Sequence, residues 1–270
     1  MVTYAFEKLY ADLVTADGTV CIVYVAWTEL FGVRRQTAGV ELYMPDGRRE
    51  VMHARAAVEL PELDAPEWRL RLELPSGPFE LRHRGCQGGW SPQASRADLS
   101  WSVKSVAGRA EARFLGDPER TPLVGHGYAD WVVLQRTTRK LRLERVEWGR
   151  AHVGEETLIW NRIRTEQGES WTRVLSLGAE RREATELLLA EHDQGVTVST
   201  LGAAPLELDQ GRVLHAGPAL DRERFPSALV RGLAALVSPK MTETRWVRRA
   251  RRPGQEGWAL HERVCFGRAA

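Results

Sequence analysis

Trp68, Leu70, Leu72 and Leu74 alternate with Arg69, Arg71 and Glu73, and Leu99, Trp101 and Val103 alternate with Ser100, Ser102 and Lys104. Successive side chains on a strand point to opposite faces, so this pattern demands strands with one buried face. Turn signals recur between such segments. Thr15-Ala16-Asp17-Gly18 separates residues 9–14 from 20–27, Pro45-Asp46-Gly47 separates 40–44 from 50–53, and Pro75-Ser76-Gly77-Pro78 separates 68–74 from 79–84. Asp-Gly and Pro-x-Gly between apolar runs specify hairpins, because glycine supplies the positive φ that tight turns need. Residues 20–27 are apolar on both faces, which suits a central, covered strand.

The pattern continues through the second half. Residues 141–148, 157–165, 171–177, 195–200, 205–208, 212–215, 242–249 and 258–266 read as strands, punctuated by Gln167-Gly168, Asp193-Gln194-Gly195, Asp209-Gln210-Gly211 and Pro253-Gly254. Residues 180–192 and 226–237 carry the Glu, Ala and Leu content of helices. No internal sequence repeat and no low-complexity linker is visible. The polar stretch Arg136-Thr137-Thr138-Arg139-Lys140 follows a complete set of strands and divides the chain into domains 1–139 and 140–270. The expectation is an all-β protein of two tandem antiparallel barrels or sandwiches, which a period of two cannot tell apart.

Composition narrows the function classes. The 38 basic and 36 acidic residues leave a formal net charge of +2, which gives no global reason to bind nucleic acid or an anionic membrane. Five Arg within residues 245–252 read as a solvated strand and turn. Cys21, Cys86 and Cys265 are odd in number and widely spaced, which argues against a disulfide framework or metal knuckle. No apolar run is long enough to span a membrane, and residues 1–7 lack a basic, then apolar leader, so the expected location is the cytoplasm. There is no Gly-rich phosphate loop and no nucleophile elbow, and no His pair stands at helical spacing. An enzyme built this way is expected to need neither metal nor organic cofactor. Ten Trp, against five Tyr and six Phe, point to a Trp-lined apolar pocket.

The informative stretch runs from Gly125 to Thr165. In Gly125-His126-Gly127-Tyr128-Ala129-Asp130-Trp131 the imidazole, phenol and carboxyl of His126, Tyr128 and Asp130 share one strand face. Trp148, Arg150 and His152 form a second row, and Trp160 with Arg162 a third. His83 alternates with Phe79 and Leu81 and reads as a hydrogen-bonded core residue, and Cys21 as inert.

These residues resemble the carotenoid 1,2-hydratase and hydroxyneurosporene synthase superfamily, whose hallmark is a G-x-G-Y-H-D-H stretch followed by W-x-W-G-R-x-H. Gly125, Gly127, Tyr128 and Asp130 match the first part, and Trp148, Gly149, Arg150 and His152 the second. Phe6-Glu7-Lys8-Leu9-Tyr10-Ala11-Asp12 is similar to the family's F-E-W-W-Y-F-D opening. The chain departs from the pattern at Ala129 and Trp131, where the family has His, at Val146, where it has Trp, and at Lys8-Leu9, where it has Trp-Trp. The resemblance implies two lipocalin-like β domains, an apolar terpenoid or polyene as partner, and Tyr128 and Asp130 as acid machinery.

A carboxyl in an apolar pocket resists ionisation and can deliver a proton. Indole faces stabilise the carbocation that protonation of an alkene creates, by roughly 0.5–2 kcal/mol each. The expected catalytic set is Asp130, Tyr128 and His126. The expected substrate-binding set is Trp101, Trp131, Trp148, Arg150, His152, Trp160 and Glu7. Three functions fit: a proton-driven cyclase, isomerase or hydratase; a cyclase that works by shape alone; and a carrier of a hydrophobic ligand.

Overall fold

The computed structural model describes residues 4–30, 32–55, 58–63, 65–85, 89–90, 98–200, 203–219 and 241–267. Cys86 and the segment 226–237 lie outside the described residues. The chain divides into two compact units, Met1–Thr137 and Thr138–Ala270.

Unit 1 is one antiparallel sheet of eight strands: β1 (Tyr4–Thr15), β2 (Val20–Leu30), β3 (Val33–Tyr43), β4 (Arg49–His53), β5 (Glu67–Leu74), β6 (Gly77–Arg84), β7 (Leu99–Phe114) and β8 (Leu123–Leu134). Their order is β4-β3-β2-β1-β8-β7-β6-β5, so the first strand lies beside both the second and the last. The sheet curls until its edges meet: after β4 the chain crosses over, and Arg55 N–H donates to the Glu73 carbonyl of β5 at 2.7 Å. Gln36 pins this crossing with a reciprocal pair to the Val58 backbone, at 2.7 and 3.0 Å. Curling buries one face as a continuous apolar core. Leu9, Leu13, Val23, Leu42, Leu72 and Phe79 are typical of it.

Unit 2 opens with a one-turn helix, α1 (Thr138–Leu141), and repeats the plan. Its strands are β9 (Leu143–Val153), β10 (Glu156–Thr165), β11 (Ser170–Leu177), β12 (Arg181–Ala184), β13 (Leu188–His192), β14 (Gly195–Ser199), β15 (Leu206–Asp209), β16 (Arg212–Pro218), β17 (Met241–Arg252) and β18 (Gln255–Phe266). The path is β12-β11-β10-β9-β18-β17-β15-β14-β13, with β16 also paired to β17. Here too the first strand sits between the second and the last. β12 and β13 are opposite edges of the path, yet residues 185–187 alone join them. A link that short spans about 13 Å at most, so the edges stand close and the sheet is nearly closed.

The structure corrects two expectations. Residues 180–192 form β12 and β13 instead of a helix; pairing with β11 and β14 overrides a weak helical preference. The Arg run is not simply solvated: Arg245 and Arg248 are buried, the first between Glu243 (2.7 Å) and Glu262 (2.8 Å). Among the described residues no helix is long and apolar enough to cross a membrane.

Candidate active site

In unit 1 the face opposite the apolar core is also buried, and it is polar. On β8, residues 127, 129 and 131 turn to the core side and residues 126, 128 and 130 to the other. Tyr128 and Asp130 are 0% and 4% exposed. Both the Tyr128 hydroxyl and the Trp101 indole N–H donate to Asp130 Oδ2, each at 2.9 Å. Trp101 pairs with Val132 in regular register, on the face of Asp130, and β7 becomes irregular just beyond it. Val103 lies opposite Asp130, but Ser105 lies opposite Ala129, so the strand inserts an extra residue and changes face. A second shift, between Ser105 and Gly108, adds another residue and restores the alternation, so Trp101 faces Asp130 while Ala110 and Ala112 face the core. Trp90 supports Trp101 edge-to-face at 5.4 Å and pairs with Val103 through two backbone hydrogen bonds.

The row through Asp130 continues across the sheet as Tyr10, Tyr24, Gly39 and His53, and the row through Tyr128 as Asp12, Ile22 and Glu41. Asp12 and Glu41 are fully buried, and the Tyr43 hydroxyl donates to Glu41. The Tyr10 ring lies 6.4 Å from that of Tyr128. Three buried carboxylates and four tyrosines therefore share this face. Sequence reasoning missed Asp12, Glu41 and Tyr10. The signal for Tyr10 and Asp12 was present in the opening motif, where their i, i+2 spacing mirrors that of Tyr128 and Asp130.

Other expected residues stand elsewhere. Trp131 follows Asp130 directly, so it points to the core side, where its ring lies tilted against that of Trp27 at 5.7 Å. Glu7 has the parity of Leu9, not of Tyr10, and pairs with Arg34 at 3.6 Å, partly in solvent. His126 shares the face of Asp130 but lies at its exposed end.

In unit 2, Trp148, Arg150 and His152 share the outer face of β9, and all three are buried. His152 Nδ1 bonds Thr157 Oγ1 at 2.7 Å. The row through Trp148 runs to Glu262, Arg245 and His215. Trp160 is on the opposite side, inside the core, with its indole flat against Gly149. A Cβ at Gly149 would stand 2.1 Å from the Trp160 ring. The Trp-Gly step of the second motif is thus a packing device. Gly127 plays a similar part in the first, where a Cβ would meet His83 at 2.7 Å. His83 stacks on Trp68 at 4.1 Å and bonds Ser105 at 3.1 Å in the core of unit 1. Burial pushes the Cys21 thiol up, which keeps it protonated and unreactive. Among the described residues no group of three His, Cys, Asp or Glu side chains could hold a metal ion.

No family model matches this sequence, and no curated protein matches it significantly. Solved structures do match. CghA with Sch210972 aligns over 99% of this chain and 90% of its own, at 12% identity and a TM-score of 0.66. An AttH-type protein of Nitrosomonas europaea aligns over 98% and 93%, at 13% identity and 0.61. Kievitone hydratase from Nectria haematococca aligns over 97% and 89%, at 8% identity and 0.50. At such identities the likeness establishes the fold, and the two units are tandem lipocalin-like barrels.

Proposed function

We propose that this protein is a cytoplasmic, cofactor-independent enzyme that cyclises, isomerises or hydrates an apolar terpenoid or polyene by protonating it. The observation that carries the reading is Asp130: a buried carboxyl held by two donors on one oxygen, on a face furnished with phenols and indoles. The fold is shared with a hydratase and with a protein solved with a small organic molecule, Sch210972.

The geometry suggests how the acid works. Oδ2 already accepts two hydrogen bonds, so the transferable proton belongs on Oδ1. Tyr128 and Trp101 hold the carboxyl plane, which keeps that proton aimed through the reaction. Transfer to an alkene carbon uses the π electrons to form a C–H bond and leaves a cation on the neighbouring carbon. Tyr10, Tyr128, Trp101 and Trp90 supply aromatic rings beside it. A second alkene then attacks to close a ring, or water adds. In either case one proton is released, and the Asp130 carboxylate takes it back, restoring the acid.

Asp130→Asn keeps the shape and the acceptor for both donors but removes the acid. Product formation from isoprenoid and polyene substrates should fall by about 10²–10⁴, with circular dichroism and substrate retention unchanged. Undiminished turnover would remove the acid role and leave the shape-driven cyclase, for which Tyr10→Ala and Trp101→Ala should then be the damaging changes.

A further inference from the structure

The two donors to Asp130 are supported differently. Tyr128 stands two residues before Asp130 on the same strand, so its place is set by β8 itself. Trp101 reaches the carboxyl from the neighbouring strand, and the half of β7 that carries it has little beside it. β6 pairs with residues 109–114 of β7 and no further. Gly85, at φ +66, turns the chain out of β6. Five residues later the chain returns at Trp90. Its N–H donates to the Val103 carbonyl at 2.9 Å, and the Val103 N–H donates back at 2.7 Å. Among the described residues, Trp90 is the backbone partner of residues 99–108 on the edge away from β8.

That bridge sets the direction of the Trp90 side chain. Val103 lies opposite both Trp90 and Asp130, so all three point to the same face of the sheet. Trp101, two residues before Val103, shares that face. The Trp90 ring is 3% exposed and meets the Trp101 ring edge-to-face, with centroids 5.4 Å apart and planes at 77°. Trp90 Nε1 has no hydrogen-bond partner, so the ring acts on its neighbour by packing. An indole turns about two side-chain bonds, and an edge-to-face contact favours one orientation of the pair. In that orientation Trp101 Nε1 stands 2.9 Å from Asp130 Oδ2.

We propose that Trp90 is a positioning residue for the Asp130 acid, locking the Trp101 indole so that its N–H stays on Oδ2. The inference rests on the acid role of Asp130 and adds a residue that acts through Trp101. With two donors on Oδ2 the proton is confined to Oδ1. An unlocked Trp101 would leave Tyr128 as the single donor, and the carboxyl could turn and share its proton between both oxygens.

Heteronuclear NMR of the full chain reads the lock directly. The Trp101 indole N–H signal is the one that Trp101→Phe removes. In the parent it should exchange slowly with solvent; fast exchange there would overturn the proposal. Trp90→Ala should move this signal and speed its exchange by at least about tenfold. Trp90→Leu should do the same while keeping most of the volume, should the alanine variant fold poorly. Trp90→Phe should preserve the signal, because the indole N–H of Trp90 makes no hydrogen bond to lose. An unmoved signal in Trp90→Ala and Trp90→Leu, or a loss in Trp90→Phe equal to theirs, would overturn the lock and leave Asp130 as the acid. Turnover of isoprenoid and polyene substrates adds a cycle. Trp90→Ala should lower the rate by about tenfold in the parent and far less in a Trp101→Phe background. An equal fall in both backgrounds would mean that Trp90 acts on the cation alone, and would overturn the positioning role. Undiminished turnover in Asp130→Asn would overturn the acid role and this inference together.

Discussion

The two units share one topology and use it in opposite ways. In each, the first strand lies between the second and the last, and the sheet curls towards closure. Unit 1 keeps its core apolar and places its buried acids on the other face: Asp12, Glu41 and Asp130 with their tyrosines. Unit 2 fills its outer face with Arg150, Arg245, His152 and His215, and also carries charge into its core through Glu147 and Arg248, with the neutral His261 beside them. The fold therefore sets where a face is buried, while the residues at alternate positions decide what chemistry that burial serves. In unit 1 the polar face is open to a catalytic reading because its core is stabilised without it. In unit 2 stability and polar groups are entangled.

That entanglement predicts unequal mutational costs. Trp160→Ala empties the centre of the unit 2 core and should cost about 3–5 kcal/mol. Trp131→Ala, at the half-buried edge of the unit 1 core, should cost clearly less, about 1–2 kcal/mol. Chemical denaturation followed by hydrogen exchange in each unit checks both values and their assignment. Glu147→Gln leaves Arg162 and Arg263 facing each other without their anion and should cost about 3 kcal/mol, with exchange rising in β9, β10 and β18. Equal costs for the Trp pair would erase the contrast between the two cores.

The units should also differ in acid. His261 is buried and neutral, facing Arg263 on its own strand and Arg162, Arg248, Glu147 and Glu191 on neighbouring ones. Its folded value of about 3 lies below the ordinary 6.5, so between these limits the unfolded chain binds more protons. Stability contributed by the neutral ring is then complete above about pH 6.5 and is lost as pH falls towards 3. Unit 2 should open first on acidification, and His261→Phe should flatten that dependence by a few kcal/mol. An acid transition that begins in unit 1 and ignores His261→Phe would break the comparison.

Much of unit 1 was legible in the sequence because its core is simple. Clean alternation at residues 68–74 gave β5, and Asp17-Gly18 and Asp46-Gly47 marked hairpins that the structure contains. The pairing of Tyr128 with Asp130 followed from parity. What failed to show was long-range. The two register shifts in β7 leave no local signature, and the row from Asp130 through Tyr10 to Tyr24 depends on register between distant strands. The repeated topology was invisible for the same reason. Sequence similarity between the units is absent because their buried faces carry different residues at equivalent strand positions. The Arg run misled because buried and solvated Arg look alike until their partners, Glu243 and Glu262, are placed.

Smaller effects sharpen the reading of the unit 1 face itself. Tyr128→Phe and Trp101→Phe each remove one donor to Asp130 and should each reduce turnover by roughly tenfold, on the scale of one hydrogen bond to a charged or acidic group. Glu7 and Asp12 provide the finest test, since both are acids of β1 that differ in parity. Asp12 is fully buried on the Asp130 face, one row from the acid, whereas Glu7 pairs with Arg34 partly in solvent. An exposed pair of that kind contributes about 0–1 kcal/mol, so Glu7→Gln should leave thermal stability and turnover almost unchanged. Asp12→Asn, at a position opposite Tyr128, should alter the pH profile of turnover even where the fold is intact. If Glu7→Gln impaired turnover more than Asp12→Asn, the substrate would have to reach the core side of the sheet, and the division of labour between the faces of unit 1 would have to be reversed.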